Sequence, residues 1–329
     1  MSKTVRLIDN RHLTGIILPR MVRLAGFLGR RVGRLILTVL IITTLVFFLV
    51  RVLPGDPASV IAGVDADPAD VAAIRNRLGM DRPVAIQYLE WLWGALRLDF
   101  GESFFSGQPA MSLVLERFPL TLSLAVMAFG LSLVIAIPLG VVSAVHKWRA
   151  VDYVGMVYSQ LGMAIPGFWL GILLLLLFAV RLGWFPLFGA DSFAHLVLPA
   201  VALGVGRSAL LTRYVRSSMI EELGKEYILT AESLGLSRRS IYYRHALINA
   251  LVPVITVAGI QFGSLLGGTI IIEQVFSMPG VGRVLLSAIQ QRDFAVIQAG
   301  VVFIAVIFSS ANFLADILYS VANPRIRVA

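Results

Sequence analysis

The apolar course of this chain is interrupted by a polar and basic passage, Glu226-Tyr-Ile-Leu-Thr-Ala-Glu-Ser-Leu-Gly-Leu-Ser-Arg-Arg-Ser-Ile-Tyr-Tyr-Arg-His-Ala-Leu-Ile-Asn-Ala-Leu-Val-Pro253. Its first part has good helix formers and places apolar residues four, four and three positions apart. These residues are Leu223, Tyr227, Ala231 and Leu234. The spacing predicts a helix over 223–234.

The residues that follow predict how this passage joins the rest of the chain. Gly235 supplies the left-handed conformation that ends many helices, so we expect it at positive φ. Ser237 can cap a second helix, and that helix continues into the apolar segment after His245. The passage is therefore predicted to be mechanically continuous with a membrane span, so that a push on one moves the other.

Composition indicates that the surrounding chain lies in a membrane. Hydrophobic residues make up 58% and charged residues 14% of the 329 positions, against roughly 45–50% and 25% in soluble domains. The chain contains no cysteine, which excludes disulfides, cysteine-ligated metals and thiol catalysis.

Six segments are long and apolar enough to be transmembrane helices, which need about 20 residues each. They cover residues 32–53, 120–145, 153–180, 196–214, 246–272 and 294–315. The first is expected to be a retained helix and not a signal peptide, because no small-residue cleavage site adjoins it. The fourth contains Arg207, whose guanidinium we expect to reach the cytoplasmic surface along its flexible stem.

Charge distribution predicts the orientation of these spans. Segments 1–34, 146–152, 213–245 and 316–329 hold 18 Lys and Arg, whereas 51–118, 181–195 and 273–293 hold nine. Basic residues favour the cytoplasmic side, so both termini are predicted to be cytoplasmic. The net charge of +9 then reflects topology and attraction to anionic lipid, and no motif for nucleic-acid binding accompanies it.

With the spans in place, the passage at 226–253 resembles the cytoplasmic coupling loop, or EAA loop, of permease subunits of bacterial ABC importers. Aligning the loop's glycine on Gly235 also matches Ala231 and Leu247 to the consensus. The run His245-Ala-Leu with a later proline, here Pro253, is similar to the peptide-importing branch of the family.

Seven further stretches resemble, in the right order, the B-type permease of dipeptide and oligopeptide importers. They are Leu53-Pro-Gly-Asp-Pro57, Leu78-Gly-Met-Asp-Arg-Pro83 with Gln87-Tyr88, Asp99-Phe-Gly-Glu-Ser103, Arg117-Phe-Pro-Leu-Thr-Leu122, Met278-Pro-Gly-Val-Gly282, Arg292-Asp293 and Asn323-Pro-Arg325. The family usually has Asp where Asn323 stands. The resemblance thus covers nearly the whole chain.

This resemblance implies an all-α integral membrane protein of the bacterial cytoplasmic (inner) membrane. The implied fold is the six-helix type I ABC importer permease, with an extracytoplasmic subdomain between helices 1 and 2. The implied partners are a second, C-type permease subunit, two ATP-binding subunits and an extracytoplasmic peptide-binding protein. The implied contacts with the ATP-binding subunit are Glu226, Thr230, Ala231, Gly235, Leu236, Ser237 and His245.

The predicted domain boundaries follow the spans. They are a cytoplasmic segment 1–31, helix 32–53, a subdomain 54–119, a permease core 120–315 with its coupling loop 215–245, and a cytoplasmic tail 316–329. Proline and glycine punctuate the subdomain, where helices are predicted over 68–78 and 86–96. Residues 1–29 fit equally an amphipathic helix on the inner leaflet and a partly disordered leader.

Motifs for catalysis are absent from the sequence. It has no G-x-x-x-x-G-K-[ST] phosphate loop, no H-E-x-x-H and no G-x-S-x-G, so we expect neither ATP hydrolysis nor a metal or cofactor. The four histidines fall in separate loops. The glycines at 280 and 282 are expected to form a tight turn at the outer surface.

Polar and small residues inside the spans mark packing or a pathway. Gln160, Asn249 and Gln261 need partners in a bilayer, either neighbouring helices or a wet cavity that cargo crosses. Gly259, Gly263 and Gly267 stand four apart and allow close helix approach. Prolines that can kink the spans occur at Pro138, Pro166 and Pro253.

Three alternative functions differ in what they require. An ion-driven transporter needs a buried carboxylate in its spans, and the six predicted segments contain none. An intramembrane enzyme needs a nucleophile and base, or a metal set. The same ABC machinery could instead carry a nickel chelate, glutathione or another small solute.

Overall fold

The fold is entirely helical over the part of the chain that the structure, a computed structural model, describes. These described residues are 10–52, 57–63, 66–77 and 79–322. The motif at 53–56 and the terminal motif at 323–325 lie outside them, as do the first nine residues. For residues 10–25 the helical backbone is described.

Thirteen α-helices are present in these described ranges. In chain order they are α1 (Asn10–Val52), α2 (Pro57–Ala62), α3 (Pro68–Arg77), α4 (Val84–Leu96), α5 (Ala110–Val145), α6 (Ala150–Ala164), α7 (Gly167–Leu174), α8 (Phe193–Leu223), α9 (Glu226–Ser233), α10 (Arg238–Ser240), α11 (Leu247–Val275), α12 (Val281–Gln291) and α13 (Phe294–Ala322). Two π-helical segments, Leu175–Arg181 and Ile241–Ala246, extend α7 and precede α11.

The membrane-spanning architecture predicted from composition is confirmed. Five helices are long and apolar enough to cross a bilayer, and α6 with α7 makes a sixth if the bent pair is one span. Several helices extend beyond the apolar runs from which they were predicted. Helix α5 begins ten residues before 120, and α8 ends nine residues after 214. The backbone hydrogen bonds of a helix continue into polar sequence, so apolarity alone underestimates its length.

The third span is broken where Pro166 follows Ile165. Helices α6 and α7 meet there at 98°, and Ile165 is extended at φ −81° and ψ 121°. Proline disfavours a helical residue immediately before it, which explains the break. Pro138 and Pro253 lie inside continuous helices, so of the three prolines named above only Pro166 ends a helix.

Small residues bring the long helices together. A Cβ on Gly204 would lie 2.9 Å from the carbonyl oxygen of Ala128, where α8 crosses α5. A Cβ on Gly259 would lie 2.0 Å from the Cβ of Ala315, so α11 and α13 are in close contact there. Gly267 has open space instead, and the small-residue stripe on α11 therefore packs over only part of its length.

The two ends of the bundle differ in what they carry. The subdomain end comprises residues 57–63, 66–77, 79–109, 182–192 and 276–293, while the coupling end comprises residues 146–149 and 224–246. Both helices predicted within the subdomain are present as α3 and α4. Helix α4 packs on α1, where the Tyr88 hydroxyl lies 2.7 Å from that of Thr44 and the Trp91 ring lies 5.2 Å from Phe47.

Candidate functional site

The coupling segment, residues 224–246, turns sharply at Gly235. Its backbone has φ +77°, the positive value that the sequence predicted. The preceding helix is shorter than the predicted 223–234, because α8 stops at Leu223 and Gly224 separates it from α9. The side chain of Ser237 accepts a hydrogen bond from the Ser240 backbone N–H at 3.4 Å, which confirms the predicted cap.

One face of the coupling segment is buried against the long helices. Ile228, Ala231 and Ile241 join an apolar cluster that includes Leu211 of α8 and Val141 of α5. Ala231 therefore faces inward, and its small side chain lets α9 lie close to the bundle. Replacing Ala231 with arginine would therefore disturb first the packing of α9 on the long helices, and only secondarily a contact with another protein.

The opposite face of the coupling segment exposes large apolar side chains. Leu229, Leu234 and Leu236 are 58%, 76% and 41% exposed, and Tyr243 is half exposed. Apolar side chains clustered on a face rimmed by polar residues mark protein contacts. Of the residues predicted for coupling, Glu226, Thr230, Gly235, Leu236 and Ser237 share this exposure, whereas His245 is half-buried.

Hydrogen bonds join the start of α9 to both neighbouring long helices. The Tyr227 hydroxyl donates to Glu222 at 2.8 Å and accepts from the Asn249 amide at 3.2 Å. Burial raises the pKa of the Tyr227 phenol, and the hydrogen bond to Glu222 raises the pKa of Lys225. Asn249 thus contributes to the junction of α9 with α11.

A buried ion pair fixes the 146–149 turn beside this segment. Asp152 is fully buried and accepts from Arg216 Nε at 2.5 Å and Nη2 at 2.8 Å. It also accepts from the Trp148 backbone N–H at 3.0 Å. Arg216 stands on α8, so the turn after α5 is attached to the helix that leads into the coupling segment.

A second buried carboxylate closes the subdomain end of α11. Glu273 is fully buried and accepts from Thr121 Oγ1 at 2.7 Å and from the backbone N–H groups of Gly282 and Arg283 at 2.8 and 3.2 Å. It caps α12, whose first N–H groups have no helical partner. A Cβ on Gly280 would lie 2.3 Å from the carboxyl carbon, so glycine there makes room for the carboxylate.

The six predicted spans contain no carboxylate, but the structure buries Asp152 and Glu273 at the margins of the third and fifth spans. Each stands one residue beyond a predicted span, because the apolar run ends where the charge begins. Both carboxylates are engaged by several donors. The turn predicted at 278–282 is present, and its role is to surround Glu273.

Separate stretches of the sequence converge through a third carboxylate. Asp293, which precedes α13, is buried and accepts from the Ser103 hydroxyl at 2.5 Å. Residues of the Asp99–Ser103, Arg117–Leu122, Met278–Gly282 and Arg292–Asp293 stretches therefore meet in two hydrogen-bonded networks at the subdomain end. They stabilise the position of α12 and the entry to α13.

A polar pair lies in the middle of the bundle. Arg207 Nη1 donates to Gln261 Oε1 at 3.1 Å, and Gln261 is buried midway along α11. The expectation that Arg207 reaches the cytoplasmic surface is wrong, because its guanidinium turns toward α11. Asn249 lies about 18 Å away along the same helix, and Gln160 is exposed on α6. Only Gln261 of the three predicted polar residues lies with Arg207.

Among the described residues, no group of three or more histidine, aspartate or glutamate side chains is placed to hold a metal ion. The structure thus shows a coupling segment with one exposed and one buried apolar face. It also shows the hydrogen-bonded networks of Glu273 and Asp293 at the subdomain end and the Arg207–Gln261 contact between α8 and α11. These features combine an exposed apolar surface with a helix that runs from it across the bundle.

Family comparison gives two matches that together cover most of the chain. Residues 136–328 match the family described as "Binding-protein-dependent transport system inner membrane component". Residues 21–125 match its N-terminal counterpart, described as "Binding-prot-dependent transport system membrane comp, N-term".

Relatives of similar length support this family match. A putative peptide transport system permease protein of Brucella abortus (strain 2308) is 42% identical over 306 residues, covering 91% of this chain and 98% of the relative. A glutathione transport system permease protein of Salmonella typhi is 40% identical over 302 residues, covering 92% and 99%. A solved structure of the MetNI methionine ABC transporter is similar in fold, with a TM-score of 0.54, 19% identity and coverage of 65% of this chain and 97% of that chain.

Proposed function

Since the chain belongs to the family of binding-protein-dependent transport system inner membrane components, we propose that it forms half of the translocation pathway of an ATP-driven peptide importer. It is a permease subunit of an ABC importer, as its resemblance to that class predicted. The proposal concerns its cargo, its partners and the role of each surface.

We propose that the coupling end faces the cytoplasm, with both termini, and that the subdomain end faces outward. The excess of Lys and Arg in the segments at the coupling end supports this orientation. An extracytoplasmic binding protein would deliver cargo at the subdomain end. A second, C-type permease would complete the pathway.

The exposed face of the coupling segment is the observation that carries this proposal. Leu229, Leu234 and Leu236 are exposed beside a glycine turn, and the segment continues through the π-helical turn into α11. An ATP-binding subunit that docks on this face would pull directly on a spanning helix. Closure of two such subunits on ATP would thereby open the pathway outward, and hydrolysis would reset it.

Peptide is the proposed cargo class because the peptide permease of Brucella abortus matches 91% of this chain at 42% identity. Glutathione, itself a small peptide, is the second candidate, since a glutathione permease is 40% identical over a similar length. Nickel chelates and other small solutes remain predictions from the sequence with no relative among these to favour them.

The experiment is reconstitution of the complete complex, purified by a tag on this chain, in proteoliposomes with its binding protein. Mass spectrometry of the purified complex should identify one further permease and ATP-binding subunits. Trialanine should accumulate only with ATP and binding protein. Accumulation of glutathione in preference to trialanine would replace the peptide proposal, and uptake without ATP would contradict the importer mechanism.

We further propose that this chain hydrolyses no ATP by itself, because it has no phosphate-binding loop. The purified chain should show no ATP turnover above that of a mock purification. Adding the ATP-binding subunits should produce turnover. Sustained hydrolysis by the chain after removal of all other subunits would contradict the proposed division of labour.

A further inference from the structure

Arg207 lies within the apolar part of α8, where a bilayer tolerates charge poorly. It stands near the middle of α8, about 20 Å along the helix from either end. Its partner Gln261 stands midway along α11, and neighbouring Gly204 meets Ala128 near the middle of α5. Three helices thus place the guanidinium inside the bundle, and a charge within a spanning segment must face protein or a water-filled space.

Arg207 is incompletely satisfied by the residues around it. A guanidinium has five N–H donors, and Gln261 accepts from one nitrogen. No aspartate or glutamate of the described chain is ion-paired with Arg207, whereas Arg216 on the same helix has Asp152. The neutral Gln261 side chain orients the cation and leaves its charge without a counter-charge.

Space for an anion lies beside this pair. A Cβ on Gly268 would lie 3.4 Å from Nη2 of Arg207. A Cβ on the adjacent Gly267 would have no atom within 4 Å. The neighbouring residue Gly206 lines a separate cleft of about 150 Å³ between α8 and the break of α6 and α7, and neither Arg207 nor Gln261 lines that cleft. Arg207 is half-buried, and the open position at Gly267 leaves room on this side of α11 from which a ligand can approach the guanidinium.

We infer that Arg207, oriented by Gln261, binds the carboxylate of the cargo as it crosses the pathway. This inference rests on the proposed function, and it adds a specificity-determining residue within it. Carboxylates are the anions that a guanidinium binds best through two parallel hydrogen bonds. Peptides and glutathione both carry a free C-terminal carboxylate, so the inference holds for either cargo.

The test compares trialanine with trialanine C-terminal amide in the reconstituted complex, for the parent and for Arg207→Gln. Loss of a charged hydrogen-bonded contact should lower uptake of the acid by about tenfold or more at low peptide concentration. Uptake of the amide should change by less than about threefold. The binding protein is common to both preparations, so its own preference cancels in the ratio of variant to parent.

Charge restoration provides the second measurement. Because the chain has no cysteine, Arg207→Cys introduces its only thiol, and the partner subunits are used in cysteine-free form. Attachment of an aminoethyl group should restore acid uptake, and attachment of a methyl group should not. Arg213→Cys, on the same helix but exposed, is the matched control and should respond to neither reagent.

The outcomes separate this inference from the proposed function. If the parent complex accumulates neither peptide with ATP, the importer proposal fails first. If the parent transports but Arg207→Gln slows acid and amide equally, the cation has a structural role or pairs with the partner permease, and the inference is wrong. If Arg207→Gln fails to assemble, Arg207→Lys must retain the acid preference while methylated Arg207→Cys loses it.

Discussion

The two ends of α11 are held in different ways. At the subdomain end, Glu273 is fully buried and accepts three hydrogen bonds, two of them from the backbone of the segment that follows. At the coupling end, Ile248 and Asn249 are exposed, and attachment depends on a few apolar side chains and on Asn249. One end is enclosed by its own chain, and the other end presents an open surface.

This difference indicates which end is closed by residues of the chain itself and which end leaves apolar side chains uncovered. Buried carboxylates that accept backbone N–H groups fix one arrangement, since breaking any bond leaves a buried group unpaired. Exposed leucines at the coupling end lose water only when another protein covers them. A force applied at the coupling end would therefore act on a helix whose far end is fixed, which suits transmission across the bundle.

The largest contrast expected between the two ends is chemical access. With the subdomain end outside, a single cysteine at Ser106 should react fully with a membrane-impermeant thiol reagent in intact cells. A cysteine at Ser237 should be protected until the membrane is permeabilised. The chain has no other thiol to react. The reverse pattern of labelling would invert the proposed orientation, and equal labelling would show that the cells were leaky.

Removing Glu273 should cause the largest loss of stability. In Glu273→Ala, the buried N–H of Gly282 loses its acceptor at about 1–3 kcal/mol, and the part-buried N–H of Arg283 loses its acceptor at a smaller cost. We expect a total loss of about 2–5 kcal/mol, measured as a lower melting temperature and a lower yield of the complex in detergent. Gln274→Ala, at the exposed neighbouring position, should leave both near the parent values. Equal stability of the two variants would show that the subdomain end is not locked by this carboxylate.

The sequence predicted the helical architecture well, because each helix is marked by a local signal. Long apolar runs located the spans, and Gly235 and Ser237 marked the turn and cap of the coupling segment, whereas the sequence did not distinguish Pro166, which breaks its span, from Pro138 and Pro253, which do not. These signals depend on residues within one or two helical turns of each other. The positive φ of Gly235 follows from such local chemistry alone.

The sequence did not predict the pairing of distant polar residues. Thr121 and Glu273 are 152 positions apart, and Ser103 and Asp293 are 190 apart. Neither periodicity nor spacing connects such pairs, and only the packing of α5, α11 and α13 brings them together. The Arg207–Gln261 contact was missed for the same reason, since the direction of an arginine side chain depends on the neighbouring helix.

Breaking the ion pair at the coupling end should have a smaller effect than removing Glu273. Asp152→Asn leaves Arg216 without its counter-charge, but Arg216 is 19% exposed and water can partly compensate. We expect a loss of about 1–3 kcal/mol in the detergent melting measurement, with normal membrane insertion. Asp191→Asn, an exposed aspartate, serves as control. A larger loss for Asp152→Asn than for Glu273→Ala would reverse the ranking of the two ends.

The smallest effect on stability, and a large one on transport, is expected at Gly235. A residue with a Cβ costs roughly 1–2 kcal/mol at the φ of +77° found there, although no atom lies within 4 Å of the new Cβ. The strain is thus purely conformational, and Gly235→Val should displace the exposed leucines while every span stays intact.

Gly224→Ala is the matched control, because Gly224 has φ −85° and accepts a Cβ without strain. Insertion and assembly should be normal in both, whereas substrate-stimulated ATP hydrolysis and uptake should fall together, about tenfold, only in Gly235→Val. A Gly235→Val complex that transports at the parental rate would place the coupling contact elsewhere, such as the 146–149 turn that Asp152 holds.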